Sequence, residues 1–214
     1  VRRLLQQGAD NNGTDAQGRT ALFFAAQNNS LEVVDVLLDP NWVELGSVID
    51  QGIASHLGTP LNIASERGHA NVVRRLLNHA PTPNLEIGVF TPLFAAVSRG
   101  HTEVVDILLE HGADPNDKRH TLLERASERG YLPIVRMLLK KGAEVNRISM
   151  GLNNQRGTPL WAAANRGHAD VVEVLLQNGA DHTIANEEGK TPSDIAREQR
   201  HEAVVSLLPL HSRA

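Results

Sequence analysis

The sequence predicts an all-α solenoid of stacked helix–turn–helix repeats, and three observations carry that expectation. First, a Thr opens a small-residue stretch at Thr20, Thr59, Thr91, Thr121, Thr158 and Thr191, at intervals of 39, 32, 30, 37 and 33 residues. Self-similarity at such a period marks a stacked repeat. Second, each stretch is followed by a run with apolar residues at helical spacing, as in VVRRLL, VVDILL, IVRMLL and VVEVLL. Third, 41% of the 214 residues are hydrophobic but only 3% are aromatic. A thin, extended core of Leu, Val, Ile and Ala needs few large rings, whereas a single globular core of this size uses more.

Taken in order, Val1–Asp10 reads as the second helix of a truncated repeat, within residues 1–14. Repeats follow at 15–58, 59–88, 89–116, 117–154 and 155–184, and a capping repeat closes the chain at 185–214. In each, Thr caps a short helix, and the Pro that usually follows fits the first turn, where its missing N–H would be unpaired anyway. Ala or Ser keeps the packing face thin. The pentapeptide ASERG occurs twice, at Ala64–Gly68 and Ala126–Gly130, with AVSRG and AANRG as variants. Its Gly ends the first helix. A second Gly, as in HGADPN, KGAEVN and NGADHT, ends the second helix, and a turn leads to the next Thr. No unit can bury its apolar face alone, so each must stack on a neighbour. The last repeat, with Asp194, Arg197, Glu198, Gln199, Arg200 and Glu202, is polar enough to face water.

The recurring pattern T-P-L-x-x-A-A-x-x-G-H followed by V-V-x-L-L-x-x-G-A-D resembles the ankyrin repeat over nearly the whole chain. The resemblance implies a β-hairpin plus two antiparallel helices per repeat, in a curved solenoid. It implies protein–protein recognition through the concave helices and hairpin fingers, with no reaction catalysed and no cofactor. Asn116 and Asn146 fall where such repeats place Asn to brace the turn. Many such repeats carry His after T-P-L, bonded to neighbouring backbone. Here that place holds Phe23, Asn62, Phe94, Glu124, Trp161 and Asp194, which puts those inter-repeat bonds in doubt. Phe23, Phe94 and Trp161 can substitute packing area. Leu122 stands where Pro is usual.

The connecting fingers differ in length, and those at 39–58 and 140–157 are long. The first contains Trp42, Val43, Leu45, Val48 and Ile49. Folding of these groups back onto the adjacent repeat is the favoured reading. The alternative is an exposed apolar anchor with Trp42 at its centre, since long loops often carry function.

Several chemistries lack their residues. With no Cys there are no disulfides, thiolate zinc sites or thiol nucleophiles, which fits a reducing compartment. No apolar run approaches membrane-spanning length, and no signal peptide is seen. The chain opens at Val1 without an initiator Met, which reads as a segment of a longer protein. The expected location is cytoplasmic, with the nucleus left open. His69, His101 and His168 hold equivalent places in different repeats, and stacked helices sit about 8–10 Å apart. Metal ligands must converge within about 2.0–2.3 Å of one ion, so these His read as structural and no metal is expected. His201-Glu202 begins like a zincin motif, but Val205 stands where the second His is required. No phosphate-cradling Gly-rich loop or nucleophile elbow is present. The sequons at Asn12 and Asn28 read as chance.

The two residues between A-A and the helix-ending Gly are the free variables of each repeat. In proteins of the ankyrin kind they line the concave partner-binding side. Here they are Gln27-Asn28, Glu66-Arg67, Ser98-Arg99, Glu128-Arg129, Asn165-Arg166 and Glu198-Gln199. Arg67, Arg99, Arg129 and Arg166 would span about 30 Å along one face. That spacing is comparable to a Debye length of about 8 Å, so mutual repulsion is weak. Arg125 extends the stripe, and Glu66 and Glu128 partly offset it. Two readings stay open. Arg before a helix-ending Gly suits the helix C-terminus with no partner involved. Alternatively the column meets an acidic protein or peptide through bidentate carboxylate bonds. Nucleic acid is not expected, because the net charge is −4 and no basic patch is interleaved with aromatics. The sequence therefore points to a binding module within a larger scaffold or sensor, with a structural spacer array as the alternative, and after it nucleic-acid binding or an enzyme with a site between repeats.

Overall fold

The computed structural model describes residues 1–41, 58–79, 84, 90–117, 121–148 and 157–208. The described residues form thirteen helices and no strand, in two compact units, Val1–Asp114 and Pro115–Ala214. The first unit holds α1 (Arg2–Gln6), α2 (Ala21–Gln27), α3 (Leu31–Leu37), α4 (Pro60–Arg67), α5 (Ala70–Leu77), α6 (Pro92–Arg99) and α7 (Thr102–Glu110). The second holds α8 (Leu122–Glu128), α9 (Leu132–Lys140), α10 (Pro159–Arg166), α11 (Ala169–Gln177), α12 (Pro192–Glu198) and α13 (Glu202–Leu207). Within each unit the first helices of successive repeats stack in one row and the second helices in another. The rows are α2, α4, α6 against α3, α5, α7, and α8, α10, α12 against α9, α11, α13.

The Thr caps form as the sequence predicts. Thr20, Thr59, Thr91, Thr158 and Thr191 each accept the backbone N–H three residues on, at 3.2 Å. Thr121 does not. Its hydroxyl donates to the Glu124 carboxylate at 3.0 Å instead. The core is thin and aliphatic. Ala26, Ala64, Ala96, Ala126, Ala163 and Ala196 are fully buried, as are Val72, Val73, Val105, Val135, Val171 and Val172. Small side chains on the first helices let the rows approach closely, so an aromatic-poor chain still closes its core. Phe23, Phe94 and Trp161 are buried beside them.

The β-hairpins that the resemblance implies are not built as strands among the described residues. The Thr14–Thr20 segment closes through one isolated antiparallel bridge. Its tip is an Asp turn: Asp15 Oδ1 accepts the N–H groups of Gln17 and Arg19, both at 2.9 Å. Asn186 repeats this geometry, accepting from Glu188 and Lys190 at 3.1 and 2.9 Å. A turn satisfied by its own side chain needs no long ladder. Trp42, Val43, Leu45, Val48 and Ile49 lie outside the described residues, as do most of the finger at 39–58 and residues 149–156 of the second finger.

Among the described residues three sets of polar bonds tie neighbouring repeats, two of them in both units and the third in the first unit. Imidazoles form the first: His69, His101, His168 and His201 donate from Nε2 to the carbonyls of Gln27, Glu66, Glu128 and Asn165, at 3.0, 2.9, 3.1 and 3.1 Å. A carbonyl can only accept, so each ring carries its proton on Nε2. These His are structural, as the sequence predicts. The rings of His101, His168 and His201 sit against the Gly of the preceding repeat. A Cβ added at Gly68 would lie 2.6 Å from His101 Nδ1, and one at Gly130 would lie 2.7 Å from His168. The ASERG glycine therefore does two things: it takes a left-handed φ (+76° at Gly68, +69° at Gly130) and it leaves room for the next imidazole.

Asparagines at the turns form the second set. Asn84, Asn116 and Asn146 donate from Nδ2 to Gly112, Gly142 and Gly179 carbonyls at 3.1, 2.9 and 3.2 Å. Their Oδ1 atoms accept the N–H groups of Asp114, Glu144 and Asp181 at 2.8, 2.9 and 2.8 Å. Asn116 and Asn146 brace the turn as expected. A single contact completes the third set. Asn62 accepts the Thr59 N–H at 3.1 Å and donates to the Phe90 carbonyl at 2.8 Å. The bond that the missing His puts in doubt is thus made by Asn at this position.

Two stability predictions follow from these contacts. Gly130→Ala and Gly142→Ala both place a side chain at left-handed φ, but only Gly130 has an imidazole in the way; nothing lies within 4 Å of a Cβ at Gly142. Urea unfolding of the whole chain should show Gly130→Ala more destabilising than Gly142→Ala by about 1 kcal/mol or more. Equal losses would mean that the seat is compliant. Asn62→Ala should cost about 1–3 kcal/mol, because it strands a buried cap N–H and the Phe90 carbonyl. A neutral Asn62→Ala would refute its bridging role.

Candidate partner-binding surface

The pair of residues before each helix-ending position splits into two tasks. Its first member gives its backbone carbonyl to the next repeat: Gln27, Glu66, Glu128 and Asn165 all accept an imidazole there. Their carbonyls are thereby held while their side chains remain variable. The second member is turned to solvent. Asn28, Arg67, Arg99, Arg129 and Arg166 are all exposed, while Gln27, Glu66, Ser98, Glu128 and Asn165 are half-buried. The residues singled out by sequence, Trp42 and the mid-helix Arg125 apart, therefore fall at the ends of the first helices.

The column is not uniform. Arg99 Nη2 donates to Glu66 Oε1 of the preceding repeat at 2.7 Å, and Arg166 Nη2 donates to Glu128 Oε1 at 2.9 Å. Arg67 and Arg129 follow repeats that carry Gln27 and Ser98 at the matching place. Neither makes an ion pair among the described residues. Each unit thus presents one clamped and one unclamped guanidinium. The sequence holds the signal for this division, since a Glu precedes Arg99 and Arg166 by one repeat and an uncharged residue precedes the other two.

Glu128 is the most enclosed carboxylate of the surface. Arg125 Nη1, one turn earlier, donates to its Oε2 at 3.0 Å, so both oxygens are engaged. Partial burial pushes its carboxyl up, but the hydrogen bonds and charges of Arg166 and Arg125 outweigh that and hold it below the usual carboxylate range. In the first unit Ile63 stands where Arg125 does, and Glu66 has the single partner Arg99.

The side chains near the fingers add features that the sequence reading missed. Phe90, 39% exposed, stacks on Phe94 with ring centroids 4.8 Å apart. Arg19 lies over the Phe24 ring at 4.7 Å while paired with Asp15. At the last repeat Lys190 bonds Glu198 at 2.7 Å and Glu188 at 3.2 Å, which raises its pKa. Among the described residues no three His, Asp or Glu groups converge as a metal site would require. Among them no helix is long and apolar enough to cross a membrane.

Comparison with known proteins agrees with this architecture. The human ASB11 ankyrin repeat domain superposes with a TM-score of 0.81 at 26% identity, covering 99% of this chain and 93% of that one. An ankyrin repeat domain from Acinetobacter baumannii gives 0.75 over 87% of this chain and 94% of its own length, at 24% identity. By sequence, 84 residues are 37% identical to XBAT35 of Arabidopsis thaliana, named as an E3 ubiquitin-protein ligase. Another 84-residue match, 30% identical, is to the palmitoyltransferase ZDHHC17 of Rattus norvegicus. Each match covers 39% of this chain but only 17% and 13% of those proteins, so less than a fifth of either relative's length is spanned. Three successive matches to the family described as ankyrin repeats cover residues 1–87, 83–149 and 147–213, and the chain belongs to that family.

Proposed function

We propose that this chain is a protein-recognition module whose first-helix ends meet an acidic protein or peptide. Ankyrin repeats are a general protein–protein interaction module. The observation that carries the reading is the exposed Arg at the same place in four repeats, two of them without an ion pair among the described residues. The backbone just before Arg67, Arg129 and Arg166 is held by an imidazole bond, so little ordering is needed there when a partner arrives. An unclamped guanidinium keeps its fork available for bidentate carboxylate bonds. The chain would work inside the cell, as one segment of a larger scaffold or sensor; the much longer relatives support that setting.

The clamped pairs favour a second, structural reading for Arg99 and Arg166 alone. Their bonds to Glu66 and Glu128 join adjacent repeats and would persist with no partner present. Exposed pairs of this kind contribute little, about 0–1 kcal/mol each.

Peptide display on the whole chain tests the proposal. Selected peptides should be rich in Asp and Glu. They should bind a variant carrying Arg67→Ser, Arg99→Ser, Arg129→Ser and Arg166→Ser roughly tenfold or more weakly, with both proteins equally folded by circular dichroism. Equal capture by both proteins would leave a spacer array as the better account. A second measurement follows from Glu128. Its folded pKa lies below the unfolded value near 4.5, so its contribution is present above that value and is lost as pH falls through the folded pKa. The melting temperature of the wild type should exceed that of Glu128→Gln at pH 6, and the gap should close in acid below pH 4.5. A gap that is constant with pH would show that the clamp does not act through ionised Glu128.

A further inference from the structure

We infer that Arg125, Arg129 and Arg166, gathered around Glu128, form a seat for a phosphorylated side chain of a partner peptide. The inference rests on reading this face as a peptide-binding surface and narrows the ligand at its most charged point. Arg125 and Arg166 are fixed from two helices by opposite oxygens of one carboxylate, at 3.0 and 2.9 Å. Arg129 follows Arg125 by four residues at the end of α8, which places it on the same helical face. The backbone at Glu128 is itself held by the His168 bond at 3.1 Å.

Charge and donor capacity select the ligand. Three guanidiniums against one carboxylate leave two positive charges in excess. Glu124, the nearest other acid on α8, is bonded to Thr121 at the opposite end of the helix. A phosphorylated side chain brings about −1.5 to −2 charge and three acceptor oxygens, matching that excess, whereas a single carboxylate matches half of it. Each guanidinium has five N–H donors. Among the described residues Arg125 and Arg166 each donate one hydrogen bond and Arg129 none. The cluster is therefore rich in unused donors while Glu128 keeps two of its members from splaying into solvent. The corresponding place in the first unit has Arg67, Arg99 and Glu66, with Ile63 in place of the third Arg. Its excess is a single charge.

The test uses the whole chain and three short Gly/Ser host peptides at low salt, bearing a central phosphoserine, an unmodified serine or an Asp-Asp pair. Binding is read from the Arg Nε–H signals by NMR. The phosphoserine peptide should shift Arg125, Arg129 and Arg166 saturably. Arg125→Gln, Arg129→Gln and Arg166→Gln should each weaken binding roughly tenfold, and Arg136→Gln, exposed on α9 away from the first-helix ends, should leave it unchanged. No shift at the three Arg with the phosphoserine peptide would overturn the seat. Equal or tighter binding of the Asp-Asp peptide would overturn the preference for phosphate. Either failure is distinct from failure of the module reading, in which the four-Arg variant and the wild type would capture displayed peptides equally.

Discussion

Within each unit, every helix pair after the first in α2–α7 and in α8–α13 is tied to the one before it by an imidazole, beside the Asn bonds. His69, His101, His168 and His201 reach back to a carbonyl at the end of the preceding first helix. That carbonyl belongs to the last turn of a helix, where no intrahelical partner exists. The bond thus answers an obligatory demand of the backbone with a side chain from the next repeat. It also sets how closely the helix ends approach, since the ring rests where a Cβ on Gly68, Gly130 or Gly167 would stand. Aliphatic packing supplies most of the driving force, and the imidazole supplies register. The thin Ala face and the left-handed Gly are conditions for it.

Function grows from the same contact. Fixing the carbonyl of one residue leaves its side chain and the next one free to vary. The surface at the first-helix ends is therefore rigid in backbone and open in chemistry, which suits a family that serves many partners. In this chain the freedom is used for charge. Glu66 and Glu128 reach across to the following Arg, while Arg67 and Arg129 stand without such a neighbour. Around Glu128 the addition of Arg125 turns a simple pair into a two-Arg clamp, whose hydrogen bonds and charges outweigh partial burial and hold the carboxyl below the usual carboxylate range.

Much of the repeat architecture was legible in the sequence because it rests on period and on residue type. Thr at fixed intervals, Pro after it, and Val-Val at helical spacing each have one local physical meaning. Asn116 and Asn146 could be assigned to the turns for the same reason. The role of Asn62 could not. Its bond to Phe90 depends on where a neighbouring finger passes, which no local pattern encodes. The division of the Arg column was half visible: the preceding Glu residues are in the sequence, but the reach of Arg99 and Arg166 across a repeat needed coordinates. The β-hairpins came from resemblance alone. The described tips are instead held by Asp15 and Asn186 side chains, which removes the need for paired strands.

The account stands on the inter-repeat imidazole bond, and the proton on Nε2 is its direct signature. Long-range nitrogen–proton NMR spectra of the whole chain report the tautomer of every His. Slow exchange with solvent marks a ring N–H that is held in a bond. The account predicts Nε2–H tautomers at His69, His101, His168 and His201, each with a slowly exchanging ring proton. Nδ1–H tautomers, or ring protons at these four positions that exchange as fast as those of an exposed His, would contradict it.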